Sequence, residues 1–144
     1  MTYTTETVIH APVEKVAGLL GNRDKMPLWM KGMEGYKHLR GEPGTVNAQT
    51  TIYLNLGTTV QVTETILAIE YPHRFSVHYA MPQGSVTITS LLQRKGRKAT
   101  AYMLEHAFTF NGMLKLGAGL MKPAFIAQSN KVMNSFKEMV EAEA

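Results

Sequence analysis

The chain has 144 residues, 44% of them hydrophobic and 18% charged, with a formal net charge of +4. That length fits one domain spanning 1–144 and lets a chain bury roughly 70% of its unfolded surface, and the composition excludes a disordered protein. No cysteine is present, which excludes a disulfide framework, a thiolate metal site and a cysteine nucleophile, and suits a reducing, cytoplasmic setting.

The chain opens with MTYTTETVIHAP, which has neither a basic stretch nor a long apolar run, so no signal peptide is expected. Residues 3–9 alternate loosely and read as a strand. Pro12 sits where a helix can begin, and Val13, Val16, Ala17 and Leu20 follow at helical spacing until Gly21 and Asn22 stop it. Residues 23–31 carry Met26, Pro27, Trp29 and Met30 and read as a second short helical turn. Both pieces are too short to stand alone and must pack on something.

From about residue 34 to 110 the period is two. Val46, Ala48, Thr50, Ile52, Leu54 and Leu56 share one face, and Val60, Val62, Glu64 and Ile66 share the next. The apolar set then shifts parity to Leu67 and Ile69, as a β-bulge would make it, and bulges curve sheets. Phe75, Val77 and Tyr79 follow, then Val86, Ile88, Ser90 and Leu92, then Tyr102, Leu104, His106, Phe108 and Phe110. Pro82-Gln83-Gly84 and Lys95-Gly96-Arg97 make the hairpins, so the strands form an antiparallel meander.

Residues 112–143 return to the helical period, long enough for a helix of about 45 Å. Met121, Phe125, Gln128, Val132, Phe136, Met139 and Val140 form one stripe, with Lys115, Lys122, Lys137 and Glu141 largely off it. Pro123 predicts a kink near 119–122. Glu141 and Glu143 have the wrong sign for a helix C-terminus, so the last turn should fray.

The order is therefore strand, two short helices, six strands, long helix: an α+β fold in which a curved seven-stranded antiparallel sheet wraps one helix. In Ile9-His10-Ala11-Pro12 with Val13 to Leu20, Pro27-Leu28-Trp29, Gly41-Glu42-Pro43-Gly44, Ile69-Glu70-Tyr71-Pro72-His73-Arg74-Phe75 and Phe108-Thr109-Phe110-Asn111-Gly112-Met113-Leu114, nearly the whole chain resembles the START-related SRPBCC superfamily and its polyketide cyclase/dehydrase and lipid-transfer branch. The resemblance implies a helix-grip fold with a hydrophobic cavity between sheet and helix. It supplies no catalytic residue, because the fold hosts carriers, cyclases, chaperone co-factors and hormone receptors alike.

His106 shares parity with Tyr102, Leu104, Phe108 and Phe110 and should face that cavity, as a general base, a ligand-orienting group or a hydrogen-bonded interior histidine. Glu64 follows Val60 and Val62 inward, where burial would raise its pKa, but the parity shift just beyond favours a carboxylate turned to solvent. Tyr79 and Tyr102 combine an apolar ring with one hydrogen-bonding tip, suited to a pocket wall or to the core. Trp29 is either a lid over the open end or an anchor for its helix. Phe108, Met121 and Phe125 complete the candidate lining. Met26, Met30, Met33, Met113 and Met121, among ten methionines, should gather around the mouth.

His78 falls on the outer face, and His10, His38 and His73 near turns or strand ends, so no metal site is expected. Gly117-Ala118-Gly119 lacks the rest of a dinucleotide loop, and neither a phosphate-binding loop nor a nucleophile elbow occurs, so no cofactor is expected. The basic cluster Arg94, Lys95, Arg97 and Lys98 carries no interleaved aromatic residue, which argues against nucleic acid. No segment approaches the roughly 20 apolar residues of a membrane span. The leading expectation is a binder of a hydrophobic small molecule, acting as a monomer or homodimer. The alternatives are a cyclase- or dehydratase-type enzyme using His106, Glu64, Tyr79 or Tyr102, and a protein-interaction module built on the methionine-rich mouth.

Overall fold

The computed structural model describes residues 1–55 and 57–143; Leu56, assigned above to the inner face, lies outside the described residues. Strand β1 (Thr2–Ile9) is followed by helix α1 (Val13–Leu20), a single 3-10 turn (Arg23–Lys25) and the one-turn helix α2 (Met26–Trp29). Six strands follow: β2 (Met33–Arg40), β3 (Gln49–Asn55), β4 (Thr59–Glu70), β5 (Arg74–Met81), β6 (Gly84–Arg94) and β7 (Thr100–Phe110). Helix α3 (Leu114–Ala142) ends the chain and runs on through Pro123. All neighbouring strands are antiparallel, in the order β1-β7-β6-β5-β4-β3-β2, so the first strand closes the sheet against the last. This is the curved seven-stranded antiparallel sheet expected from the alternation, in the helix-grip arrangement that the resemblance implies.

The register shift falls between Ile66 and Ala68, making Leu67 the extra residue and leaving it exposed. Before the bulge, Val62, Glu64 and Ile66 face inward, and after it Ile69 does, opposite Phe75. Val46 is not on this face; it sits exposed in the loop before β3.

The core lies at one end of the grip. Met133, Phe136 and Val140 of α3 pack there with Ile9, Val13, Val16, Trp29, Tyr102 and Leu104. Along α3, packing falls on β1, β7, α1 and α2. The inner line of the helix runs through Lys122, Ser129, Met133, Phe136 and Val140, shifted from the expected stripe. Gln128 is exposed, Met121 is 45% exposed, and Lys122 is half-buried instead of lying off the packed face.

The acidic end of α3 does not fray. The backbone N–H of His10 donates to Glu141 Oε2 at 2.7 Å, Lys25 pairs with the Glu143 carboxylate, and Lys15 donates to the Glu143 carbonyl. The two lysines supply the positive charge that the helix terminus lacks. Among the described residues no helix is long and apolar enough to cross a membrane.

Candidate functional site

Side chains directly opposite each other on antiparallel strands share a face, so the register lays out the inner wall row by row. One row runs Phe108, Val86, Tyr79, Glu64, Thr50 and His38 from β7 to β2. The adjacent row runs Tyr3, His106, Ile88, Val77 and Ile66. The sequence candidates Phe108, Tyr79 and Glu64 thus share one row, with His106 on the next.

Glu64 is the main correction. It is buried, 3% exposed, because the bulge lies beyond it at Leu67 and leaves its own parity intact. Arg23, from the 3-10 turn, reaches across and donates from Nη1 to Glu64 Oε2 at 2.8 Å and from Nη2 to Oε1. The fork satisfies both carboxylate oxygens, which is what keeps a buried carboxylate tolerable. The Glu64 hydrogen bond, opposed by burial, raises the Arg23 guanidinium further above its already high pKa. Arg23 also lies 5.7 Å from the centroid of the Tyr36 ring, and the Tyr36 hydroxyl donates to Asp24 Oδ1 at 3.3 Å. The same pair ties the segment bearing Trp29 to β4. Arg23 is the candidate site residue that periodicity missed; the signal available was an inward carboxylate with no cation opposite it on either neighbouring strand.

Opposite Glu64, the Tyr79 hydroxyl is pushed well above the usual phenol range by burial and then by the Glu64 charge, so it keeps its proton. Burial does the same to Tyr102, against a Ser90 hydrogen bond that pulls the other way. Tyr102 and Trp29 meet over Phe136, at 5.4 Å and 5.2 Å between ring centroids. They fill the core end. Trp29 is buried and acts as an anchor, although its indole Nε1–H has no partner.

His106 faces inward as expected. Its ring stacks on Tyr3 at 4.5 Å, and Nε2 lies 3.2 Å from Thr5 Oγ1, while Nδ1 is buried without a partner. Burial lowers its pKa to about 4, so the ring is neutral near pH 7. Beyond it, Phe125 of α3 packs on Phe108 and Phe110 at 5.3 Å and 5.6 Å. The methionines do not form one cluster. Met26 belongs to the core, Met30 and Met33 pack against it, and Met113 and Met121 are exposed.

The expected cavity between sheet and helix does not coincide with either of two depressions on the molecule. Among the described residues these measure about 460 and 420 Å³. One lies against Thr2, Thr4, Thr87, Thr89 and Glu105, largely on the outer sheet face; the other lies along α3 beside Lys31, Lys131 and Glu138. Among the strands, α3 packs mainly on β1 and β7, which leaves the inner wall at β5 and β6 partly uncovered. Val77, Tyr79, Met81, Ile88, Phe108 and Phe110 are each half-buried there. His78 bonds Thr87 Oγ1 on the outer face, and no group of three or more His, Asp or Glu residues that could hold a metal occurs among the described residues.

Residues 1–141 match the family described as polyketide cyclase/dehydrase and lipid transport. No curated protein sequence matches the chain. Among solved structures, a protein from Thermus thermophilus superposes with a TM-score of 0.80 at 16% identity, covering 100% of this chain and 99% of the other. The Zhui aromatase/cyclase from Streptomyces sp. R1128 also gives 0.80, at 14% identity over 98% and 93%. A START superfamily protein from Mycobacterium smegmatis gives 0.78, at 10% identity over 99% of both chains. At these identities the likeness is one of fold.

Proposed function

Because the chain belongs to the polyketide cyclase/dehydrase and lipid transport family, we propose that it binds a hydrophobic small molecule, lipid- or polyketide-like, against the inner sheet face beneath the first half of α3. The observation that carries this reading is the wall of half-buried apolar side chains, Val77, Met81, Ile88, Phe108 and Phe110, on the same sheet face as the buried Glu64 carboxylate that Arg23 pairs. An apolar wall with a few convergent polar groups is the usual make-up of a small-molecule site. The ligand's apolar body lies along the wall, and one polar group reaches Tyr79, His106 or Arg23. The partner is a small molecule rather than nucleic acid, no cofactor enters, and the cysteine-free composition supports a cytosolic setting.

Native mass spectrometry of protein purified from cells, with titration by the apolar dye 1-anilinonaphthalene-8-sulfonate, tests it. A co-purifying apolar mass, and dye binding abolished by Ile88→Trp with the fold retained, is the expected result. Dye binding unchanged by Ile88→Trp, with no co-purifying mass, overturns the reading.

A second reading, an acid/base enzyme of the cyclase or dehydratase type, is favoured by Tyr79 facing Glu64 and by the neutral His106. Tyr79 offers a hydroxyl hydrogen-bond donor beside the Glu64 carboxylate, and His106 has a ring nitrogen without a protein partner. Turnover on the co-purified compound that survives both Tyr79→Phe and His106→Ala removes this reading and leaves binding intact.

A further inference from the structure

The first half of α3 is turned inside out. At 3.6 residues per turn, Met113, Leu116, Leu120, Ala124 and Ala127 lie along one line of the helix, opposite the line through Lys122, Ser129, Phe136 and Val140 that meets the protein. Met113 and Leu116 are each 83% exposed and Leu120 is 90% exposed. Past residue 127 the same outer line turns polar, with Lys131, Asn134 and Glu138. Meanwhile Lys115 and Lys122 fall on the other side of the helix. An outward apolar stripe that starts and stops this sharply is the mark of a surface meant to be covered.

We propose that this stripe is the contact between two copies of the chain, paired antiparallel about a two-fold axis at Leu120. The spacing of Met113, Leu116, Leu120, Pro123 and Ala127 alternates three and four residues, the spacing that seats one helix against another. The stripe is large at one end and small at the other. Antiparallel pairing sets Met113 of one copy over Ala127 of the second, Leu116 over Ala124, and Leu120 over itself. Large thereby meets small on either side of the axis, as close packing requires, and the same patch serves both copies, as a two-fold dimer requires.

Area and charge point the same way. The stripe exposes on the order of 500 Å² of apolar surface, near the upper end of what a monomer leaves open. Across a two-fold contact that becomes on the order of 1,000 Å², the lower limit for a specific interface, so the dimer is reversible. No acidic residue occurs between Met113 and Lys137, but Lys115 and Lys122 point away from the stripe. They neither confront their counterparts in a dimer nor flank the stripe as they would to hold it on an anionic lipid surface. The two copies of Lys131 fall at opposite ends of the contact, roughly 30 Å apart by helical rise.

Sedimentation equilibrium of the full chain over a hundredfold concentration range is the first test. The wild type should rise from the mass of one chain toward that of two, and Leu116→Glu with Leu120→Glu should stay monomeric with an unchanged thermal melt, since both side chains are already in solvent. Because the chain has no cysteine, Leu120→Cys gives a second readout. A short bismaleimide should link it into a covalent dimer far faster than Asn134→Cys, which sits far from the axis. A double glutamate variant that associates like wild type, equal linking of the two cysteine variants, or a wild type that stays monomeric each overturns the proposal, and binding of that monomer to anionic phosphatidylglycerol vesicles would assign the stripe to a lipid surface instead.

Discussion

The two halves of α3 lie over the same sheet and are built differently. From Ser129 onward the inner line carries Met133, Phe136 and Val140, all buried against α1, Trp29 and Tyr102. Before Ser129 no residue of the helix is fully buried, and the inner line carries Lys122 and Phe125 near Gly117 and Gly119. One half closes the grip with fully buried side chains, and the other meets the sheet only with half-buried ones, a lysine among them. Stability therefore concentrates at the core end, which leaves the other end available for the proposed ligand and the proposed second copy.

The sharpest way to break that contrast is to truncate the same ring in each half. Phe136→Ala should cost about 4 kcal/mol, the range for a fully buried phenylalanine, whereas Phe125→Ala, half-buried over Phe108, should cost roughly a third of that. Urea denaturation of both variants decides it. Equal losses would mean that the two halves are equally packed.

The next effect is a pH dependence. His106 has a folded pKa of about 4, while an unfolded histidine titrates near 6.5, so below that value the unfolded chain takes up a proton that the folded chain refuses. Stability from this group is complete above about pH 6.5 and is lost as the pH falls toward 4, by about 3 kcal/mol in all. In His106→Phe that part of the slope should vanish. A variant with the wild-type slope between pH 6.5 and 4 would mean that the ring is already wet.

A smaller loss is expected from the ion pair. Glu64→Gln leaves Arg23 facing a neutral amide and should cost about 2 kcal/mol, below the range for a fully buried pair because the Arg23 side chain is a quarter exposed. Adding Arg23→Met should restore part of it. Chemical denaturation of the single and double variants supplies the coupling.

These effects divide along what the alternation could and could not reveal. The strands, the bulge and the inward parity of Tyr79, Tyr102, His106 and Phe108 follow from period two, because one wrong step would turn a whole strand over. The fate of Glu64 was misjudged because parity cannot say which of Ile66, Leu67 or Ala68 is the extra residue, and only an extra residue before position 64 would have turned it out. Arg23 was invisible because a three-residue turn has no period. The phase of α3 slipped for a different reason: residues 113–127 are apolar on nearly every side, so Met121 and Gln128 fitted a stripe as well as Lys122 and Ser129 did. The phase is fixed only where Met133, Phe136 and Val140 stand among polar neighbours.

The finest test falls at the join between the two halves. The Tyr3 hydroxyl lies 2.7 Å from Ser129 Oγ and donates to the Phe125 carbonyl at 3.2 Å, fastening α3 to β1 two residues beyond Pro123. Pro123 offers no N–H to the turn before it, so the helix is weakest on that side of the fastening. Tyr3→Phe keeps the ring stacked on His106 and removes only the hydroxyl, for a global cost of about 1 kcal/mol. The local effect should be larger than the global one. Amide hydrogen exchange should speed up across residues 114–126 and stay slow from 133 onward, because only the first half depends on that tether. Uniform acceleration along α3 would mean that the helix opens as one unit and that its halves differ in packing alone.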